Sequence, residues 1–89
     1  MKLYLVHCGF YDPEVCDGIY ESHVNLFVTG DSFESAKTRV REIPLFQQRR
    51  MHVDGMEEIE AVDGARVHLE PDPAIEGRTL TTSNRHRDL

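Results

Sequence analysis

The Asp63-Gly64 pair constrains the fold more than any other feature, because it separates two strand-like runs at residues 56–62 and 65–70. Asp-Gly in this setting predicts a β-hairpin. A two-residue loop would mix apolar and polar residues on both faces of that hairpin. A three-residue loop pairs Ala61 with Ala65 and puts Ile59 opposite Val67 on one apolar face. The sequence therefore predicts a type I turn in which Gly64 adopts the left-handed conformation as a bulge.

Length and charge limit the classes of function. The chain has 89 residues, the size of one small domain, and a net charge of −6 from 16 acidic and 10 basic residues. This charge disfavours binding to nucleic acid and to anionic membranes. No apolar run approaches the roughly 20 residues of a transmembrane helix, and the N-terminal apolar stretch is too short for a signal peptide. We therefore expect a cytoplasmic protein in which Cys8 and Cys16 are free thiols.

The remaining pattern predicts the order β-β-α-β-β and an α+β fold, with one helix on a mainly antiparallel sheet of about four strands. Residues 2–8 are apolar on both faces, which is typical of a central strand covered on both sides. A second strand follows at about residues 19–28. A helix then begins near Asp31 or Ser32, either of which fits an N-cap, and ends before Pro44. We interpret residues 44–53 as a connector and Asp54-Gly55 as a second turn.

The composition changes at Pro71. Pro71-Asp72-Pro73 ends strand pairing, and few hydrophobic residues follow. The sequence predicts one domain over residues 1–71 and a polar, flexible C-terminal tail over residues 72–89.

Four short segments resemble a known family. They are the opening Met1-Lys-Leu-Tyr-Leu-Val, His52-Val-Asp-Gly, Val62-Asp-Gly and Val67-His-Leu. Together they are similar to a small bacterial family of domains of unknown function, number fifteen forty-three, over about residues 1–70. That family's first strand tends to end in Gly-Gly, whereas Gly9 here lies between Cys8 and Phe10. The resemblance implies the domain boundary and a bacterial cytosolic setting, and it supplies no activity or catalytic residues.

No spacing in the chain specifies a chemical site. The candidate metal ligands are His7, His23, His52 and Cys16, but none forms a close His/Cys pair of the usual zinc spacing. Asp17, next to Cys16, disfavours an activated thiol. We therefore expect no cofactor and assign no catalytic residue.

Three functions remain open. The first is a non-enzymatic interaction or regulatory module that forms a homodimer, with Leu3, Leu5 and Phe27 in the contact, because one helix can cover only one face of the first strand. The second is a small enzyme or ligand- or metal-binding domain around the loop at residues 9–18, in which several polar side chains would meet: Tyr11, Cys16, His7, His23 and His52. The third is an adaptor whose tail binds a protein partner.

Overall fold

The computed structural model describes residues 1–88. Its main sheet has three antiparallel strands, and the first strand of the chain lies in the centre, between the second and the third. Two helices connect the second strand to the third, and a small hairpin follows. The elements are β1 (Lys2–Tyr11), β2 (Glu21–Gly30), α1 (Phe33–Arg41), α2 (Pro44–Gln48), β3 (His52–Glu58), β4 (Ala61–Val62) and β5 (Ala65–Arg66). The predicted α+β class and the single main helix on an antiparallel sheet are confirmed.

The core lies between the helices and one face of the sheet, which we call the inner face. Alternate residues of β1, Tyr4, Val6 and Cys8, are fully buried against α1. We call the opposite face of the sheet the outer face, and it carries the other alternate residues of β1, namely Leu3, Leu5, His7 and Gly9. The buried core consists of Tyr4, Val6, Cys8, Val28, Ala36, Val40, Phe46 and Met51.

Helix α1 begins at a serine cap. The Ser32 hydroxyl accepts a hydrogen bond from the backbone N–H of Ser35, and the Ser35 hydroxyl accepts one from the backbone N–H of Ser32. Of the two N-caps that the sequence allows, Ser32 is therefore the one used, and these bonds satisfy N–H groups that lack partners within the helix. The predicted connector contains α2, which starts at Pro44.

The hairpin has a different register from the predicted one. Ala61 pairs with Arg66 and Val62 pairs with Ala65, so the loop contains only Asp63 and Gly64. Both loop residues have positive φ, 51° and 79°, which is the type I′ geometry that matches strand twist. The predicted register is wrong because all four paired residues are exposed, so no core selects one face of this hairpin. The predicted left-handed Gly64 is confirmed.

Asp54-Gly55 is not a turn but lies within β3. Gly55 pairs with His7 and Val53 pairs with Cys8, so Asp54 is an extra residue, a β-bulge. Simple alternation cannot place Val53 and Met56 on the same face, since they are three positions apart. The bulge places both of them on the inner face, and the Asp54 side chain remains on the outer face.

Beyond β5 the chain has no strand or α-helix up to residue 88, and its regular structure there is two short 3-10 turns, Pro73–Ile75 and His86–Asp88. The predicted tail covers residues 72–89, and its last residue, Leu89, lies outside the described residues. None of the helices formed by residues 1–88 is both long and apolar enough to cross a membrane. Cys8 is buried and Cys16 exposed, and both are free thiols, as predicted.

Candidate metal centre

Four polar side chains from the two edge strands meet on the outer face of the sheet. Glu21 and His23 lie on β2, and His52 and Asp54 lie on β3. His23 Nε2 lies 3.0 Å from Glu21 Oε1 and 2.9 Å from Asp54 Oδ2. His52 Nε2 lies 2.9 Å from Glu21 Oε1 and 3.1 Å from Asp54 Oδ1. Two imidazole nitrogens and two carboxylates thus alternate around a closed ring, which we call the donor ring.

The donor ring exists because the central strand has a glycine beneath it. Neighbouring strands of a sheet are about 4.8 Å apart, so β2 and β3 are separated by roughly twice that distance. Their side chains can meet only by crossing β1, and they cross it at Gly9. A Cβ added at Gly9 would lie 2.6 Å from both Asp54 Oδ2 and His52 Nε2, and closer still to Glu21 Oε1. Any larger residue at position 9 would therefore displace the ring.

Side chains around the donor ring hold it in place. The Tyr11 hydroxyl donates to Glu21 Oε2 at 3.4 Å. The imidazole of His7 stacks on that of His23, with ring centroids 4.8 Å apart and planes 3° from parallel. His7 Nδ1 contacts Asn25 Oδ1 at 2.7 Å. The two histidines and Asn25 therefore form an ordered row next to the ring.

The close contacts of the donor ring cannot all be straight hydrogen bonds at the same time. A histidine Nε2 carries at most one proton and can donate one straight hydrogen bond. Each Nε2 of His23 and His52 nevertheless lies within 3.1 Å of two carboxylate oxygens. Glu21, His52 and Asp54 each offer a ligand atom within 4.8 Å of the other two, so a single cation can take the place of the contacts among them.

The spacing of the ring also fits a metal ion. Zinc lies about 2.0–2.2 Å from imidazole nitrogen and carboxylate oxygen, which puts adjacent donors about 2.9–3.4 Å apart in square or tetrahedral arrangements. The ring's neighbouring donors are 2.9–3.1 Å apart. Its four side chains are 31–46% exposed, so an ion can enter from solvent and keep a position open to a further ligand.

The structure brings together three of the four candidate ligands named from the sequence. His7, His23 and His52 lie in or next to the donor ring, whereas Cys16 is exposed in the 3-10 turn Cys16–Gly18 and has no cluster of potential metal ligands around it among the described residues. Cys8 is on the inner face, where burial raises the pKa of its thiol and the negative charge of Asp54 raises it further.

Sequence reasoning missed Glu21, Asp54 and Gly9. A local signal existed for the two carboxylates, because Glu21 precedes His23 by two positions and Asp54 follows His52 by two. Residues two apart in a strand share a face, so each pair could have been identified. No local signal marks Gly9.

The other end of the outer face is apolar. Leu5 pairs with Phe27 and Leu3 with Thr29. The two leucines are half-buried, and the Phe27 side chain is 56% exposed. The three predicted contact residues are therefore neighbours on the face that carries the donor ring.

Comparison with known proteins gives one match. A family model described as Domain of Unknown Function (DUF1543) matches residues 19–69, more than half of the chain. The matched segment contains β2, β3 and the hairpin, and it stops short of the first strand. No curated protein and no solved structure matches the chain.

Proposed function

The chain belongs to the DUF1543 family, and we propose that it is a small metal-binding domain whose donor ring holds a divalent first-row transition metal ion. The observation that supports this proposal is the closed ring of two imidazoles and two carboxylates over Gly9, with neighbouring donors 2.9–3.1 Å apart.

The donor set favours one class of ion. Imidazole nitrogen together with carboxylate oxygen suits zinc, iron, manganese and related ions. Magnesium and calcium prefer shells made of oxygen alone. We therefore expect Zn²⁺ and Mn²⁺ to bind and Mg²⁺ and Ca²⁺ to compete poorly.

An ion in the ring would also act as a clamp. Glu21 and His23 come from β2 and His52 and Asp54 from β3, two strands that do not pair with each other. The ion would join them across β1. Because it would bind the folded chain and not the unfolded one, its binding free energy would add to the stability of the fold.

Isothermal titration calorimetry of chelator-treated protein with Zn²⁺ tests the proposal. His52→Ala removes one donor and should weaken binding by more than the roughly 10–100-fold that follows loss of an outer-shell partner. His68→Ala, an exposed histidine in the hairpin segment outside the ring, is the matched control and should bind as the wild type does. Equal affinity of wild type and His52→Ala, or no heat in either, would overturn the proposal.

A second candidate function is interaction through a homodimer, which the exposed Phe27 ring beside Leu3 and Leu5 favours. Leu5→Asp would place a charge in that contact. Analytical ultracentrifugation should show a wild-type dimer and either a monomer or insoluble protein for Leu5→Asp. Leu80→Asp, at an exposed leucine in the tail, should remain dimeric. A well-folded Leu5→Asp dimer would contradict this candidate.

A further inference from the structure

We propose that the cleft between α1, α2 and the start of β3 binds a phosphate monoester, with the side chains of Lys37 and Arg41 holding the phosphate group. This inference goes beyond the proposed metal-binding function and does not depend on it. We call this site the basic cleft. It is lined by Lys37 and Arg41 from α1, by Phe46 and Gln47 from α2, and by Met51 and the first two residues of β3.

Basic residues are concentrated around the basic cleft. Residues 37–50 contain five of the ten Lys and Arg residues of the chain but only one of its sixteen Asp and Glu residues, Glu42. The whole chain has a net charge of −6. The segment that supplies most of the cleft is therefore positive within an acidic protein, and a local field of this kind attracts small anions.

The two cations of the basic cleft have no acidic partner in the part of the chain that the structure describes. Arg49, in the same basic segment, pairs with Asp12 at 3.2 Å, whereas neither Lys37 nor Arg41 forms an ion pair of this kind. Lys37 and Arg41 are four positions apart in α1, so their side chains are neighbours on one face of the helix. Like charges in this arrangement repel each other, and a bound dianion would replace the repulsion with attraction.

The chemistry of the two side chains favours a phosphate group. The guanidinium of Arg41 can donate two parallel hydrogen bonds to phosphate oxygens, and the ammonium group of Lys37 can bind a third oxygen as a point charge. A phosphate monoester carries a charge of about −1.5 to −2 near pH 7, which balances both cations. A carboxylate would balance only one of them.

The basic cleft also has room for the group to which the phosphate is attached. Its volume is about 450 Å³, within the range of roughly 300–1,000 Å³ for small-molecule sites. Phe46 and Met51, both members of the buried core, supply its apolar part. Gln47 Nε2 donates a hydrogen bond to the backbone carbonyl of Arg41 at 3.1 Å, which ties α2 to the end of α1. We therefore expect a small organic phosphate to bind more tightly than inorganic phosphate.

The test is a titration of the whole chain with phenyl phosphate, followed through the amide chemical shifts in ¹H–¹⁵N NMR spectra. The protein is treated with chelator and kept in phosphate-free buffer, so that no ion in the donor ring can bind the phosphate. We expect saturable shifts around the basic cleft. Binding should be about 10-fold weaker in Lys37→Gln and in Arg41→Gln, which lose charge-assisted hydrogen bonds.

Arg39→Gln is the matched control. It removes the same charge from the same helix at a residue that does not line the basic cleft, and it should bind phenyl phosphate as the wild type does. Phenol, which lacks the phosphate, should not bind. Equal weakening by Arg39→Gln and Arg41→Gln would show attraction by the overall charge of the segment and would overturn the site. Shifts that do not saturate, or that lie outside the cleft, would overturn it too.

Two further ligands identify the source of the phosphate. Vesicles of phosphatidylcholine containing phosphatidic acid present a phosphate monoester on a lipid. Binding to them that is lost in Arg41→Gln would support a lipid headgroup as the ligand, and binding of phenyl phosphate alone would support a soluble one. A single-stranded oligonucleotide carries phosphodiesters, and tighter binding of it than of phenyl phosphate would overturn the proposal.

Discussion

The two faces of β1 differ in what their residues do. On the inner face Tyr4, Val6 and Cys8 are fully buried under α1. On the outer face His7 and Gly9 lie within a cluster of charged and polar side chains that solvent can reach. One strand thus supplies the centre of the core and the floor of the candidate metal centre. This separation means that substitutions on the outer face can alter binding with little effect on folding.

The largest expected effect is on the inner face. Val6→Asp buries a charge without a partner and should cost about 4 kcal/mol or more, a large part of the stability of a small domain. Circular dichroism should show loss of the fold. Phe27→Asp is the matched outer-face variant, and because Phe27 is 56% exposed it should cost only about 1 kcal/mol. Equal destabilisation by both would show that the outer face is also covered in solution.

The second-largest expected effect is on Zn²⁺ affinity, and it distinguishes Gly9 from Gly55 on the outer face. Gly9→Ala adds a Cβ in the space that the donor ring occupies, so Zn²⁺ affinity should fall on the order of 100-fold. Gly55→Ala adds a Cβ where no atom lies within 4 Å and should leave affinity unchanged. Calorimetric titration measures both. Unchanged affinity of Gly9→Ala would mean that the ring is not where the ion binds.

The reactivities of the Cys8 and Cys16 thiols allow the inner face to be compared with the loop between β1 and β2. Burial first and the charge of Asp54 second raise the pKa of Cys8, so its reactive thiolate is scarce at pH 8. Iodoacetamide should label Cys16 in native protein and Cys8 only in denaturant, as mass spectrometry of Cys16→Ser would show.

The raised pKa of Cys8 also gives a direction for stability against pH. A group whose pKa rises on folding favours the folded state while it is protonated. Its contribution is complete below the unfolded pKa and is lost as pH rises through the folded pKa.

Rapid labelling of Cys8 in native protein at pH 8 would show that the inner face opens easily.

The smallest expected effect is in the hairpin. Gly64 has φ of 79°, and an alanine there should cost about 1 kcal/mol. Gly55→Ala, at a glycine without positive φ, is again the control and should change stability by less. Thermal denaturation followed by circular dichroism compares them. No difference between the variants would show that the hairpin opens before the sheet does.

Much of the fold could be predicted because it depends on local patterns. The alternation in β2, the helical spacing of Ala36 and Val40, and the Asp63-Gly64 turn each act within a few residues. The errors came where tertiary packing decides. The predicted hairpin register is wrong because the hairpin is exposed. The predicted turn at Asp54-Gly55 is wrong because a bulge is recognisable only from its partner strand.

The site was predicted only in part. His7, His23 and His52 were named as candidate ligands. The carboxylates of Glu21 and Asp54, two positions from His23 and His52, were not named, because only His and Cys were considered as ligands. Glu21 and His52 are 31 positions apart. Their contact depends on which strand lies between their strands and on what that strand carries at the crossing point.

The sequence by itself determined a two-sided first strand, one main helix and a tight turn, because periodicity, capping and backbone preferences are properties of neighbouring residues. The tertiary structure alone decided that β1 is central, that a bulge turns Asp54 outward, and that Gly9 lies beneath the side chains of both edge strands. Those facts depend on strand order and register, which arise from packing the whole chain. The candidate metal centre follows from them.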